Sequence, residues 1–191
     1  MAPLTQTNST EEELERTQFI IKEFLVQSHH SELFETRIQK LIFYTEVYCI
    51  LHYRRRLTNV EYRPYMYGAF SRDVRAALNS LDEVTRRKTV IQGNRTTGYS
   101  LSDHSSSLSD GIQNIIEKVC EYVSEESTEE LAQFSKSSWL FENTEYDHPM
   151  NFPEFATALD AHPEAEEALL RQMPSRAEID DAEDVLLPLT E

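Results

Sequence analysis

The stretch RIQKLIFYTEVYCILHY, residues 37–53, decides the fold because its apolar residues recur at helical spacing on most sides. One stripe contains Ile38, Leu41, Ile42, Thr45, Cys49 and His52, and a second contains Phe43, Val47, Ile50 and Leu51. A helix that is apolar on most of its surface is normally surrounded by other elements. We therefore predict a buried central helix over residues 32–53, followed by the cations Arg54-Arg55-Arg56 at its negative C-terminal end.

Further helices are predicted on both sides of this centre. Residues 1–9 carry no such pattern and are expected to be disordered, whereas Thr10-Glu11-Glu12-Glu13 reads as a capping box that starts a first helix. Ser71 is the expected N-cap of a third helix. Isoleucine and valine at helical spacing over residues 112–123 predict a fourth helix. Ser127 then caps a short fifth one.

A β-hairpin completes the predicted domain. Thr89-Val90-Ile91 and Gly98-Tyr99-Ser100-Leu101 flank a turn region at Gly93-Asn94. Together these patterns predict a mainly α fold. It is a compact helical domain with a buried central helix, a small β-hairpin and an acidic C-terminal extension.

The acidic extension covers residues 147–191. From residue 151 onward the chain has 11 Asp and Glu against 2 Arg, a net charge of −9. A segment with much charge and few apolar residues can stay mobile alone and order on a partner. The alternative is that it packs back as two ordinary helices. The expected apolar anchors for a partner are Leu169, Leu170, Met173, Leu186 and Leu187.

The charge of the whole chain disfavours some classes of partner. Its net charge is −16, with 18 Lys and Arg against 34 Asp and Glu. Binding to nucleic acid or to an anionic membrane requires clustered cations that contact phosphates, so both partners are disfavoured. A basic protein partner fits better. An acidic surface that is poor in lysine is also typical of salt-accumulating halophiles and favours a halophilic archaeal source.

Other features predict a cytoplasmic protein. No apolar run approaches the roughly 18 residues of a membrane span. The start MAPLTQTNSTEEE lacks the basic and apolar segments of a signal peptide. Cys49 and Cys120 lie in apolar helical patterns, which indicates buried thiols in a reducing compartment.

Residues 62–70 are unusually aromatic for a loop. Tyr62, Arg63 and Tyr65 are predicted to form a partner-binding surface, because Tyr and Arg are enriched among interface anchors. Tyr67 and Phe70 are instead expected to fill the core beside Tyr44 and Tyr48. Gly68 permits a backbone turn that a side chain would obstruct.

Two of these stretches resemble the motifs of the Panacea domain, the SocA-like antitoxin family. Residues 37–44, RIQKLIFY, are similar to the family's KLQKLLYY helix, and residues 67–71, YGAFS, are similar to its YGPFS turn. A later stretch, from Leu131 to Trp139, is similar to the family's late segment that ends in tryptophan. The resemblance covers roughly residues 12–141, within a predicted domain of residues 10–146. The residues that carry the motifs, and to which a structural role is assigned, are Lys40, Leu41, Tyr44, Tyr67, Gly68, Ser71 and Trp139.

The resemblance implies a role in protein recognition. Members of the family include antitoxins that neutralise diverse toxins and a proteolytic adaptor. It therefore implies a non-enzymatic module that occludes or chaperones a protein partner, a toxin encoded nearby. Two departures loosen the match. Ala69 stands where the family has proline, and residues 134–138 lack the family's histidine before the late tryptophan.

Two other functional classes remain open. An enzyme could use a histidine or a cysteine that folding brings beside other groups. A nucleic-acid-binding regulator could use Arg54-Arg55-Arg56 and Arg86-Arg87-Lys88. Neither class has a supporting motif, because the histidines show no metal-ligand spacing and the chain has only 4 glycines and no phosphate-binding loop. No catalytic residue, cofactor or metal is predicted, and the oligomeric state is left open.

Overall fold

The computed structural model of the protein describes residues 5–91, 93–102, 106, 108–161 and 186–188; within them, the side chains of Thr5–Thr10, Asn94 and Pro188 are not described. In this part of the chain the helices are α1 Thr5–Gln27, α2 Glu35–Tyr53, α3 Arg72–Ser80, α4 Asp110–Tyr122, α5 Thr128–Lys136, α6 Trp139–Glu142 and α7 Phe152–Ala161. The strands are β1 Leu33–Phe34, β2 Arg55–Arg56, β3 Arg63–Tyr65, β4 Gly68–Phe70, β5 Thr85–Ile91, β6 Asn94–Ser100 and β7 Leu187–Pro188.

Helix α2 lies at the centre of the molecule. It begins at Glu35 rather than at residue 32, because Leu33 and Phe34 pair with strand β6. Helices α1, α3, α4, α5 and α7 all contact it, and Leu41 in its middle is 2% exposed. The helix ends at Arg54, which adopts the left-handed conformation with φ of 54° and donates its backbone N–H to the Ile50 carbonyl.

The expectation of a mainly α protein is wrong, because the described residues are 55% helical and 16% strand, a mixed α/β composition. The strands pair antiparallel in three small groups, with the orders β1-β6-β5, β2-β7 and β3-β4. The hairpin predicted around Gly93 exists and is longer than expected, running from Thr85 to Ser100. The other pairs are two or three residues long. Alternation of side chains over so short a segment leaves almost no pattern in the sequence.

Local capping signals locate several helix starts. The Ser71 side chain accepts from the Val74 N–H at the start of α3. Ser127 and Glu130 form a complete capping box at α5. Helix α1, in contrast, begins at Thr5, upstream of the predicted N-cap at Thr10. Residues 5–9, expected to be disordered, are therefore helical.

A buried carboxylate organises the connection between α2 and β3. Glu46 has no exposed surface and accepts the backbone N–H groups of Leu57 at 2.9 Å and Thr58 at 2.8 Å. The Arg56 guanidinium lies 3.4 Å from the same carboxylate and 3.9 Å from the Phe152 ring centroid. A buried charge is tolerated only when it is paired and hydrogen-bonded, and these contacts supply both conditions. They fix where the chain enters the β3-β4 hairpin.

Two pieces of the acidic extension are built into the domain. Helix α7 buries Phe152, Phe155 and Leu159, and Phe155 stacks on Trp139 with ring centroids 5.9 Å apart. Strand β7 then pairs with β2, which places Leu187 opposite Arg56. The interpretation of the extension as a mobile segment is therefore wrong for residues 152–161 and 186–188, because they form a helix and a strand of the domain and contribute Phe152, Phe155, Leu159 and Leu186 to its core.

Candidate functional site

The β3-β4 hairpin is the centre of the candidate site. Its register pairs Arg63 with Phe70 and Tyr65 with Gly68, which leaves Met66 and Tyr67 at the turn. Gly68 has a φ of +88°, a conformation that side-chain-bearing residues rarely adopt. A Cβ placed there would lie 2.0 Å from Ser135 Oγ. Glycine is therefore required both by the turn and by the close approach of α5.

Polar side chains from α2 and α5 hold this hairpin in place. Gln39 donates from Nε2 to the Ser71 carbonyl at 2.9 Å and accepts the Ser71 N–H at 3.0 Å. The Lys40 ammonium donates to the Ala69 carbonyl, and Ser135 Oγ accepts the Ala69 N–H at 3.2 Å. The backbone of residues 69–71 thus docks through buried hydrogen bonds, which gives the RIQK segment and the YGAFS turn a shared structural purpose.

The hairpin presents an exposed group of side chains at its tip. Tyr67 is 65% exposed, Met66 is 64% exposed and Tyr65 is 42% exposed. Tyr146, from the loop after α6, is 61% exposed and stacks on Tyr65 with ring centroids 5.4 Å apart. We call Tyr65, Met66, Tyr67 and Tyr146 the aromatic surface. Large apolar side chains grouped on a surface mark interaction sites, whereas single ones are ordinary.

Two assignments within residues 62–70 are reversed by the structure. Tyr62, predicted to contact a partner, has no exposed surface and packs against Phe43 with ring centroids 5.2 Å apart. Tyr67, predicted to fill the core, is the most exposed of the tyrosines in the aromatic surface. The reason is that the turn at Met66-Tyr67 reverses the chain after β3 and places Tyr67 at the tip of the hairpin, whereas Tyr62 precedes the hairpin and packs in the core.

Arg63 and the remaining motif residues have structural contacts. Arg63 donates to the Asp147 carbonyl at 2.5 Å and pairs with Glu61 at 2.6 Å, so it ties the hairpin to the loop before α7. Tyr44 packs on Phe134 with ring centroids 4.6 Å apart. The remaining two, Leu41 and Trp139, lie in the core and against it, respectively.

The predicted partner anchors of the extension are only partly described. Leu186 is 3% exposed and belongs to the core, so its assignment as a partner contact is wrong. Leu187 is half-buried in the pair β2-β7. Leu169, Leu170 and Met173 lie outside the described residues.

Sequence patterns missed several residues that build this site. Gln39 and Ser135 hold the hairpin, and Met66 and Tyr146 complete its surface. Gln39 could have been found, because a polar residue flanked by Ile38 and Leu41 on a buried helix needs a partner. Tyr146 had no local signal, since its contact with Tyr65 spans a large separation in sequence.

A cleft lies beside the aromatic surface. It has a volume of about 260 Å³ between the first turns of α2, the hairpin and α3. Lys40 lines it and is 3% exposed. Burial, and secondarily the nearby Lys136, lowers the pKa of Lys40 to about 7.

Thiol and metal chemistry can be checked in the described residues. Burial raises the pKa of Cys49 well above its usual value and that of Cys120 to about 12, which disfavours a thiolate at either position. No cluster of possible metal ligands occurs in the described part of the chain. The cleft beside the hairpin is lined by neither histidine nor cysteine.

The arginine clusters are engaged within the fold. Arg54 donates to the Leu51 carbonyl at 2.7 Å and pairs with Asp160 at 2.9 Å. Arg86 donates to the Leu78 carbonyl near the end of α3, and Arg87 pairs with Glu32. These contacts match helix capping and salt bridging better than a free phosphate-binding face.

The comparison with protein families decides the classification. The model of the family described as Antitoxin SocA-like, Panacea domain matches residues 38–140, which run from the start of α2 to α6. The chain belongs to this family. The matched segment contains Gln39, Lys40 and Ser135, which hold the hairpin against α2 and α5, and three of the four members of the aromatic surface. Among curated proteins and solved structures, no match was found.

The family carries a general functional meaning. A SocA-like Panacea protein has a role related to toxin–antitoxin pairs, which implies a protein partner such as a toxin in general. None of the helices in the described residues combines the length and the apolarity that crossing a membrane requires.

Proposed function

We propose that this protein is a non-enzymatic antitoxin that binds a protein toxin through its aromatic surface and neutralises it by occlusion. The single observation that carries the proposal is the exposed group Tyr65, Met66, Tyr67 and Tyr146 on a hairpin fixed by buried hydrogen bonds. Chaperoning or delivery of the partner as an adaptor is the variant of this role that the family also allows.

The anchoring of the hairpin by hydrogen bonds supports a recognition role. Tyrosine and methionine supply large contact areas, and an anchor held in its bound geometry loses little conformational entropy on binding. Gln39, Lys40 and Ser135 hold the hairpin backbone through hydrogen bonds. The stacking of Tyr65 on Tyr146 restrains the side chains of the aromatic surface. Such a surface fits tight binding better than an isolated flexible loop does.

The charge of the chain supports a basic partner. With a net charge of −16, the protein attracts a cationic toxin over distances of about a Debye length, which is roughly 8–10 Å in physiological salt. The aromatic surface then supplies the short-range contact energy. We place this encounter in the cytoplasm.

Co-expression with the product of the adjacent gene tests this function. If that product arrests growth, the protein should relieve the arrest and co-purify with it as a complex. Relief of arrest without any complex would contradict occlusion, and an unrelieved arrest would contradict the antitoxin role.

A further inference from the structure

The cleft beside the aromatic surface combines a cation with apolar walls. Its lining residues are Glu35, Thr36, Gln39, Lys40, Tyr65, Tyr67, Gly68, Phe70 and Arg75. The aromatic rings come from the hairpin, and the polar groups come from α2 and α3. A volume of about 260 Å³ is below the roughly 300–1,000 Å³ of pockets that hold drug-sized ligands. The cleft suits one amino-acid residue.

Lys40 is a buried cation without a counter-charge among the described residues. Its ammonium has three donors, and the one acceptor found for it in the described part of the chain is the Ala69 carbonyl. Its Nζ also lies close to Gly68 on the cleft wall, because a Cβ there would be 3.2 Å away. Burying an unpaired charge is costly, so an anion in the cleft would be favoured.

The other charges in the cleft compensate each other. Glu35 pairs with Arg75 at 2.5 Å, and the Arg75 guanidinium lies 4.5 Å from the Phe70 ring centroid. The Glu35 carboxylate is therefore paired with Arg75 of α3 and is not the counter-charge of Lys40. The excess charge of the cleft is the positive charge of Lys40.

We propose that the cleft binds the C-terminal carboxylate of the partner protein, with an aromatic or long aliphatic last residue against the hairpin rings. The inference rests on the proposed function, since it names the part of the partner that the same site takes. One terminal residue supplies both features that the cleft matches, an anion for Lys40 and an apolar side chain for Tyr65, Tyr67 and Phe70. Capture of a terminal carboxylate is a recurring mode of peptide recognition.

Binding should depend on the protonation of Lys40. The charged or titratable groups that face it are Lys136 from α5, Glu35 on α2, Arg75 from α3, and Tyr65 and Tyr67 of the hairpin. The pKa of Lys40 is lowered to about 7, so the free cleft loses its positive charge as the pH rises above this value. Affinity for a carboxylate should therefore fall between pH 6 and pH 9.

A titration with small probes tests the cleft directly. The probes are N-acetyl-phenylalanine, which has a free carboxylate, and N-acetyl-phenylalaninamide, which is neutral. Their binding is measured by the change in the NMR chemical shift of the Gly68 amide in the full-length protein. We expect the acid to bind at least tenfold more tightly than the amide at pH 6. Lys40→Met should abolish this difference, and the surface variant Lys118→Met should retain it. Equal affinities of acid and amide would overturn the proposal.

Two further arms exclude simpler explanations. Thr36→Trp fills the cleft while keeping Lys40, so it should block binding of N-acetyl-phenylalanine. This variant tests the cleft even if Lys40→Met folds poorly, and unchanged binding by it would overturn the cleft as the binding site. Acetyl-Phe-Glu-amide carries its carboxylate on an internal side chain with a blocked terminus, and equal binding of this peptide would overturn the C-terminal assignment. Failure of the probes, with toxin capture still dependent on Tyr67, would refute this inference alone and leave the proposed function standing.

Discussion

Gln39 and Ser71 exchange two hydrogen bonds in the buried interior. The amide group of Gln39 donates to the Ser71 carbonyl at 2.9 Å and accepts the Ser71 N–H at 3.0 Å. Ser71 in turn caps α3 with its side chain. One side chain on the central helix therefore fixes the point where the hairpin ends and α3 begins, and so determines how the aromatic surface is presented.

Gln39→Met should destabilise the protein by about 2–4 kcal/mol, because it leaves a buried N–H and a buried carbonyl without partners. The measurement is the free energy of unfolding from denaturant melts. Gln133→Met, at an exposed position on α5, serves as the control and should change stability little. Equal effects of the two substitutions would show that the pair with Ser71 contributes nothing.

Gly68→Ala should be more damaging than Gly93→Ala. Both glycines have positive φ, +88° and +82°, so each substitution carries the backbone cost of about 1–2 kcal/mol. A Cβ at Gly93 meets nothing within 4 Å, whereas one at Gly68 clashes with Ser135 Oγ at 2.0 Å. Overpacking should add about 1–3 kcal/mol at Gly68 alone. Similar losses at both positions in thermal melts would contradict the close docking of the hairpin on α5.

Lys40 should give the protein a stability that rises with pH between 7 and 9. Burial lowers its pKa from 10.5 to about 7, so in this window the unfolded chain holds a proton that the folded chain has released. Stability therefore increases with pH, by up to about 1.4 kcal/mol per pH unit, and is independent of this group below pH 7.

The comparison with Lys40→Met isolates this effect. Cys49 and Cys120 act in the opposite direction, because their raised pKa makes the folded chain hold protons longer than the unfolded chain does. Their contribution is the same in both proteins and cancels in the difference. We expect the wild-type slope to exceed that of Lys40→Met across pH 7–9, and parallel curves would refute the lowered pKa of Lys40 in the folded chain.

Phe155→Ala should cost about 3–5 kcal/mol, as truncation of a buried aromatic residue does. Phe155 is 2% exposed and stacks on Trp139, which joins α7 to the domain. Thr157→Ala, on the exposed face of the same helix, is the control.

Because α7 completes the core, a chain shortened at residue 150 should also lose stability. An unchanged melting temperature for that shortened chain would mean that α7 is dispensable for folding.

The sequence predicted the elements whose signals are local and periodic. The stripes of residues 37–53 located the central helix, and the hydroxyl groups of Ser71 and Ser127 located helix starts. The short strands were missed, because two or three residues carry no recognisable alternation. The resulting expectation of a mainly α fold was wrong for this reason.

The candidate site was predicted only in its position along the chain. Residues 62–70 were identified through their aromatic content, but which ring faces solvent depends on the turn at Met66-Tyr67 and on long-range docking to α2. Tyr62 and Tyr67 were consequently exchanged between core and surface. The halophilic interpretation of the net charge of −16 is independent of these contacts and stays a prediction.

The affinity of the toxin for hairpin variants tests the central claim most directly. Calorimetry should compare the wild type with the double variant Met66→Ser/Tyr67→Ser and with the control Val90→Ser. Val90 lies on the β5-β6 hairpin and is 62% exposed, close to the 64% of Met66 and the 65% of Tyr67. Removing interface anchors typically costs about 2 kcal/mol or more of binding free energy, which weakens binding at least thirtyfold. This is the result we predict for the double variant. Val90→Ser should bind as the wild type does. An unchanged affinity of the double variant, with both proteins fully folded, would contradict the assignment of the aromatic surface as the recognition site.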